Sequence, residues 1–272
     1  MSLLRLPNEL ALGIAGCFHD GPDINALHKT AGCLYHLLND YLYQHNSRYN
    51  EGSALLWAIK HSCMSTAQKA LEAGVRADEA LHDKEWVAPP VLAMNHKNEQ
   101  IVRLLLERDL DFSKTFRCSS YGNTIMLGRI MLEKAVPSPQ LFQLLLDKGA
   151  FIKEDCCDTS EILEDIIRSG DVTLLQALLN HGMSVAELQK DAPRLMVIAA
   201  SSGPMVMHLS KLGVAPKLHY NIKMNMLRKG ISYGQPEVIN HVVDQGLNRC
   251  DYAGCYRSRC RSGNASKILD SD

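Results

Sequence analysis

One hydrophobic pattern recurs along the chain: an apolar run that closes shortly before a glycine, in KALEAGVRAD, RLLLERDLDF, QLLLDKGAFI, ALLNHGMSV, HLSKLGVAP and HVVDQGLNR. Five of the six runs carry the glycine, at Gly74, Gly149, Gly182, Gly213 and Gly246, and Asp109 stands in the remaining slot. Successive intervals are 35, 40, 33, 31 and 33 residues. Apolar runs this short, spaced this regularly, predict a stack of helix pairs in which each unit buries its apolar face against its neighbours. Leu104, Leu105 and Leu106 present a patch at a helix end that reaches both the partner helix and the next pair. The glycine that follows is expected to take the left-handed conformation that ends a helix, and Asp109 to adopt it at some cost.

Upstream of these ends the first helix of each unit is weakly marked. Ala88-Pro89-Pro90-Val91-Leu92-Ala93 places a proline where the first helical turn accepts one, and Ser53-Ala54-Leu55-Leu56-Trp57-Ala58 repeats the apolar pattern one unit earlier. Gly122-Asn123-Thr124 marks a third turn, and Gly170 and Gly234 mark the turn between paired helices. Pro137 and Pro139 are expected to bulge the loop of the long third unit. From Ser53 to Arg249 the chain resembles the ankyrin-repeat family in its period and in its L-L-x-x-G ends, although no unit carries the T-P-L-H motif whole. Tetratricopeptide repeats have a similar period, but their Trp and Tyr landmarks are missing. The expected fold is all-α: an ankyrin-repeat solenoid of about six degenerate repeats, over residues 51–250.

Residues 1–50 fall outside that register and read as three short helices. Leu10, Ile14, Cys17 and Phe18 recur at helical spacing, Gly21-Pro22-Asp23 interrupts, and Ile24, Leu27 and Ala31 lead into Leu34, Leu37, Leu38 and Leu42, so a small three-helix core is expected. L-P-x-E-L at Leu6–Leu10, followed by Ile14, Asp23–Leu27, Leu34–Leu38 and Leu42-Tyr43, resembles an F-box, as found in front of ankyrin repeats in proteins of filamentous fungi. That resemblance implies docking to a Skp1-like subunit of a cullin-RING ubiquitin ligase through Leu6, Pro7, Leu10, Ile14 and Leu27, while the repeats capture a client protein. The same apolar residues could instead only cap the exposed end of the stack.

Composition narrows the remaining classes. Lys plus Arg number 29 against 30 Asp plus Glu, a formal net charge of -1, so nucleic acid is not an expected partner. Aromatics are only 6% and methionines number 11, which favours helices over sandwiches or barrels. Nine scattered cysteines suit a reducing compartment, and a cytoplasmic or nuclear location is expected. Arg5, Pro7 and Glu9 break any leader-like run, and Gly203-Pro204 interrupts the longest charge-free stretch, so no membrane span is expected. The chain is expected to be a monomer outside its complex.

No catalytic, cofactor or metal site is expected. Gly230-Ile231-Ser232-Tyr233-Gly234 matches G-x-S-x-G, but the flanking sequence does not read as the strand and helix that motif needs. Cys250, Cys255 and Cys260 lack the tight C-x2-C knuckle of a structural zinc site. Binding is expected on hairpin fingers between units and on exposed first-helix residues. Trp86, aligned with the finger tip, and Tyr121 in the next finger are the aromatic candidates, with His61 and His96 on the helices below. The function that follows is a non-enzymatic protein-interaction module, foremost a substrate adaptor of an SCF-type ligase. The alternative is a scaffold or transcription coregulator of a fungal secondary-metabolite cluster, and an enzyme with a groove site ranks third. At the C-terminal side Val238, Ile239, Val242 and Val243 are expected to form an exposed seam, followed by a poorly ordered basic tail over 251–272.

Overall fold

The computed structural model describes residues 6–18, 21–79, 81–82, 86–117, 124–150, 159–215 and 217–247. The expectations for Tyr121, for the cysteines at 250, 255 and 260 and for the 251–272 tail lie outside these residues. The fold is mostly helical, of the all-α class, with two short β-hairpins among the described residues. Among those residues no helix is long and apolar enough to cross a membrane. The chain divides into two compact units, Met1–Lys134 and Ala135–Asp272, and neither boundary falls at residue 50.

The first unit runs α1 (Asn8–Gly16), α2 (Gly21–His28), α3 (Gly32–Tyr49), α4 (Ser53–Lys60), α5 (Met64–Glu72), β1 (Leu81–His82), β2 (Trp86–Val87), α6 (Pro89–Asn95), α7 (Glu99–Leu106), β3 (Thr115–Arg117), β4 (Thr124–Met126) and α8 (Leu127–Ala135). Helices α4 and α5 form one antiparallel pair and α6 and α7 the next; α4 stacks on α6 and α5 on α7. Leu55, Ile59, Ile101 and Leu105 are fully buried between them. The pairing of α3 with both α4 and α5 attaches the N-terminal helices. At that junction Asn46 accepts from the Ala54 backbone N–H at 3.0 Å and donates to Ser53 Oγ at 2.8 Å, which satisfies the start of α4.

The second unit runs α9 (Pro139–Asp147), α10 (Thr159–Ser169), α11 (Val172–Asn180), α12 (Val185–Lys190), α13 (Ala192–Ala199), α14 (Gly203–Lys211), α15 (Tyr220–Tyr233) and α16 (Pro236–Asp244). The pairs are α10/α11, α13/α14 and α15/α16, with α10, α13 and α15 in one layer and α9, α11, α14 and α16 in the other. Across the first layer the buried Glu164 carboxylate pairs with Arg194 of the next helix at 2.6 Å. Between α11 and α13 the connection is helix α12, closed by a capping box in which Ser184 and Glu187 satisfy each other's backbone N–H.

Both kinds of helix end are set by left-handed residues. Gly74, Gly149, Gly182, Gly213 and Gly246 have φ of 94°, 91°, 103°, 69° and 86°. After each, the next residue donates its N–H back to a carbonyl inside the finished helix, as Ala150 to Leu145 at 2.9 Å and Met183 to Leu178 at 3.1 Å. The short turn inside the pairs α4/α5, α6/α7, α10/α11 and α15/α16 repeats the device, and that inside α13/α14 does not. Gly170 and Gly234 are left-handed as their type allows, and Ser62 and Lys97, both at φ 55°, take the same conformation at the corresponding positions of the first two pairs. Cys63 then bonds Ala58 at 2.9 Å and Asn98 bonds Ala93 at 2.9 Å.

Four expectations need correction. Asp109 is not left-handed: α7 closes with Glu107 in a right-handed conformation, its N–H bonded to Arg103 and Leu104, so a residue that resists positive φ is spared it. Pro137 and Pro139 make no bulge: Ser138 N–H bonds Ala135 at 2.8 Å and Pro139 opens α9, where a missing N–H costs nothing. Helix α8 of that unit holds nine residues against seven in α6. Val238, Ile239 and Val242 are buried rather than exposed, because α14 and α15 both pack on α16 and Gly230 admits Val238. In α1 the face toward the core is Ala11 and Ala15, packed on Leu34 and Leu38, and not Leu10, Ile14 and Cys17.

A left-handed L-residue costs about 1–2 kcal/mol, and glycine gives back part of the relief through its unfolded-state entropy. Lys97→Gly is therefore expected to stabilise the protein by up to about 1 kcal/mol, and Asp109→Gly, at a site that does not take positive φ, to destabilise it. Urea unfolding midpoints of the two variants check this pair of opposite signs.

Candidate protein-interaction surfaces

The N-terminal helices expose what the core does not need. The first helix turns its small residues inward, so Leu10 is 55% exposed, Pro7 is exposed, and Leu6 and Ile14 are half-buried. Leu27 is the exception among these five, half-buried and packed against the Ala11, Ala15, Leu34 and Leu38 cluster. It is α3, and not α1, that seats on the α4/α5 pair. The outward side of α1 thus stays clear of the helix stack that follows.

The first unit holds two β-hairpins among the described residues. Leu81 faces Val87 and His82 faces Trp86 across β1 and β2, so Trp86 sits in the second strand, beyond the turn. In the next hairpin Thr115, Phe116 and Arg117 face Met126, Ile125 and Thr124. The loop ahead of β1 is tied to the approach of β3 by Asp78, whose carboxylate is buried and takes Lys114 at 2.9 Å and Arg76 at 3.2 Å. Burial opposes ionisation there, but the hydrogen bonds from Lys114 and Arg76 outweigh it and hold the carboxyl below its ordinary value. Asp111, accepting from the side chain and backbone of Ser113, is likewise shifted down and shapes the turn into β3.

His61 and His96 do not lie beside these hairpins. Each caps the C-terminal end of its helix, α4 or α6, immediately before the left-handed Ser62 or Lys97. The helix that separates each from the hairpin end is about 10 Å long. His61 stacks on Trp57, ring centroids 4.4 Å apart, and is held by the Trp57 carbonyl at 2.9 Å. Trp57 itself, hidden in the sequence among the apolar residues of α4, is 50% exposed. It lines a groove of about 490 Å³ with Pro22, Asn25, Leu42, Tyr43 and Asn46. Only its place on the outer side of α4, where α2 and α3 leave room, separates it from the buried Leu55 and Ile59.

The chemistry-like motifs resolve into structure. Ser232 lies in the last turn of α15 and donates to the Arg228 carbonyl at 2.6 Å, so the strand and sharp turn of a nucleophile elbow are replaced by continuous helix. Its two glycines have packing roles. A Cβ at Gly230 would stand 3.1 Å from Val238, and Gly234 ends the helix at φ 63°. His241, the nearest histidine in sequence, hydrogen-bonds Ser210 and Gln245. Among the described residues no cluster of His, Cys, Asp and Glu has metal-binding geometry, and Cys17, Cys33 and Cys63 are free thiols.

Because Asp78 is ionised below the pH at which an unfolded aspartate protonates, its contribution is present above about pH 4 and fades as pH falls through its lower folded value. Asp78→Asn leaves Lys114 beside a neutral group and is expected to cost about 1.5 kcal/mol at pH 7, with the gap to wild type closing below pH ~4. Thermal melts of both proteins across that range measure it. No family model matches the chain, and no curated protein sequence matches it.

Proposed function

We propose that this chain is a protein-interaction module of degenerate ankyrin-type repeats behind an F-box-like segment, and that it works as a substrate adaptor of an SCF-type ubiquitin ligase. The observation that carries this reading is the division of labour in α1: Ala11 and Ala15 face the core while Leu10, at 55% exposure, faces outward and Ile14 is half-buried. Capping and docking therefore do not compete for one face. An exposed leucine on a short helix contributes nothing to the fold there, and its burial against a partner would supply about 1.5–3 kcal/mol.

The paired helices and the two hairpins of the first unit support the repeat reading, since each hairpin links the second helix of one pair to the first helix of the next. In it the client would be held by finger and first-helix residues, with Trp86 on its strand and Trp57 in its groove as the aromatic anchors. We assign no catalytic role to Ser232, and none of the function requires a cofactor.

Leu10→Asp is expected to abolish capture of a Skp1-like subunit while leaving the circular-dichroism spectrum and melting midpoint at wild-type values, because Leu10 is exposed. Wild-type protein that captures no Skp1-like subunit in a pull-down from fungal lysate would overturn the adaptor reading and leave the scaffold reading in its place.

A further inference from the structure

The near-zero net charge conceals a strong local asymmetry. From Ala192 to Pro236 the chain carries Arg194, Lys211, Lys217, Lys223, Arg228 and Lys229 and not one acidic residue; all 30 Asp and Glu lie outside this stretch. The fold then concentrates several of these cations. Helices α13 and α14 are antiparallel, so the first turn of α13 and the last turn of α14 share one end of the second unit, together with the connection to α15 and the first turn of α15. Arg194, Lys211, Lys217 and Lys223 are therefore neighbours by topology, and α12 adds Lys190, since Gln189 beside it reaches the Gly213 carbonyl at 3.1 Å.

Opposing charge at this end is sparse. Glu164 is buried beneath Arg194, and Lys223 is engaged with the Gln245 carbonyl. Among the described residues the exposed acids there are Asp191, which precedes α13, and Asp244, which ends α16, and the half-buried Glu187 of α12 is engaged with Ser184 in the capping box. Lys190, Lys211 and Lys217 are exposed, and among the described residues they are in no ion pair. His208, on the last turn of α14, is pushed below its ordinary value by burial and by Lys211, so it stays neutral beside them. Tyr220, 55% exposed at the start of α15, adds an aromatic surface at the same end.

We propose that this end of the α13–α14–α15 stack binds an acidic, extended segment of a partner protein. The proposal rests on the protein-interaction reading above and gives the partner's chemistry. A run of Asp and Glu would supply counter-charges to three cations that form no ion pair among the described residues, with Tyr220 receiving an apolar side chain. An interaction of this kind between exposed charges is strongly screened by salt.

Fluorescence anisotropy with the intact protein and labelled poly-glutamate tests it, with a neutral Gly/Ser peptide and single-stranded oligodeoxythymidylate as comparison probes. Wild type is expected to bind poly-glutamate, more weakly as salt rises from about 50 to 200 mM, and the Lys211→Glu/Lys217→Glu double variant to bind about tenfold more weakly or worse. Leu10→Asp, which disables the proposed Skp1 face, should bind poly-glutamate as wild type does. If the double variant fails to fold, Lys217→Gln alone should still show a measurable loss. The inference is overturned if wild type ignores poly-glutamate, if the neutral peptide binds as well, or if oligodeoxythymidylate binds more tightly, which would mark a nucleic-acid surface instead. Capture of a Skp1-like subunit without poly-glutamate binding defeats this inference alone; the reverse result defeats only the adaptor reading.

Discussion

The structure depends on one constraint: most of its helices are too short to exist alone. Elements such as α6 (Pro89–Asn95) and α7 (Glu99–Leu106) hold seven and eight residues, well below the length at which an isolated helix survives in water. Each persists only by burying a face on its partner and on the adjacent pair, as Leu55, Ile59, Ile101 and Leu105 do. Such packing demands that the chain reverse within a few residues at both ends of every helix. A left-handed residue is the most economical way to do so, because it returns backbone N–H groups to carbonyls the helix would otherwise leave open. The need is strong enough to force Ser62 and Lys97 into a conformation that their side chains oppose.

From that constraint follows where interaction surfaces can lie. The large aliphatic residues are committed to seams between helices, so what remains outside is the hairpins, the helix termini and the outer side of the first helices. Leu10 on α1 and Trp57 on α4 are large apolar side chains left outside the seams. Charge follows the same logic. Lys211 and Lys217 sit at a helix end and in a connection, where they meet no anion among the described residues, whereas Arg194 lies along a layer and meets Glu164. A net charge of -1 says nothing about such an end, because it averages over surfaces that never meet the same partner.

The sequence misled where two residues compete for one role. In α1 the larger residues Leu10 and Ile14 looked like the core face, but α3 approaches too closely for them and selects Ala11 and Ala15. The spacing is helical on either reading, so periodicity alone does not choose the face. His61 and His96 are correctly on first helices, yet the direction of the chain carries them to the end away from the hairpins. Nothing in the apolar pattern of 53–58 singles out Trp57 as exposed, since its neighbours Leu55 and Ala58 are fully buried and its exposure is a matter of rotation about the helix.

Read alone, the sequence determines the helix-rich class, the period, and the reversal points marked by Gly74, Gly149, Gly182, Gly213 and Gly246, because glycine's freedom at positive φ is a property of the residue itself. It determines the start of α6 at Pro89 and the helical, rather than strand-turn, setting of G-I-S-Y-G for similar local reasons. Tertiary structure decided which face of α1 is outward, that Val238, Ile239 and Val242 are covered, and that cations from α12, α13, α14 and the connection that follows meet at one end. Those outcomes depend on the distance and direction of neighbouring helices, and no residue carries that information until the packing between layers is in place.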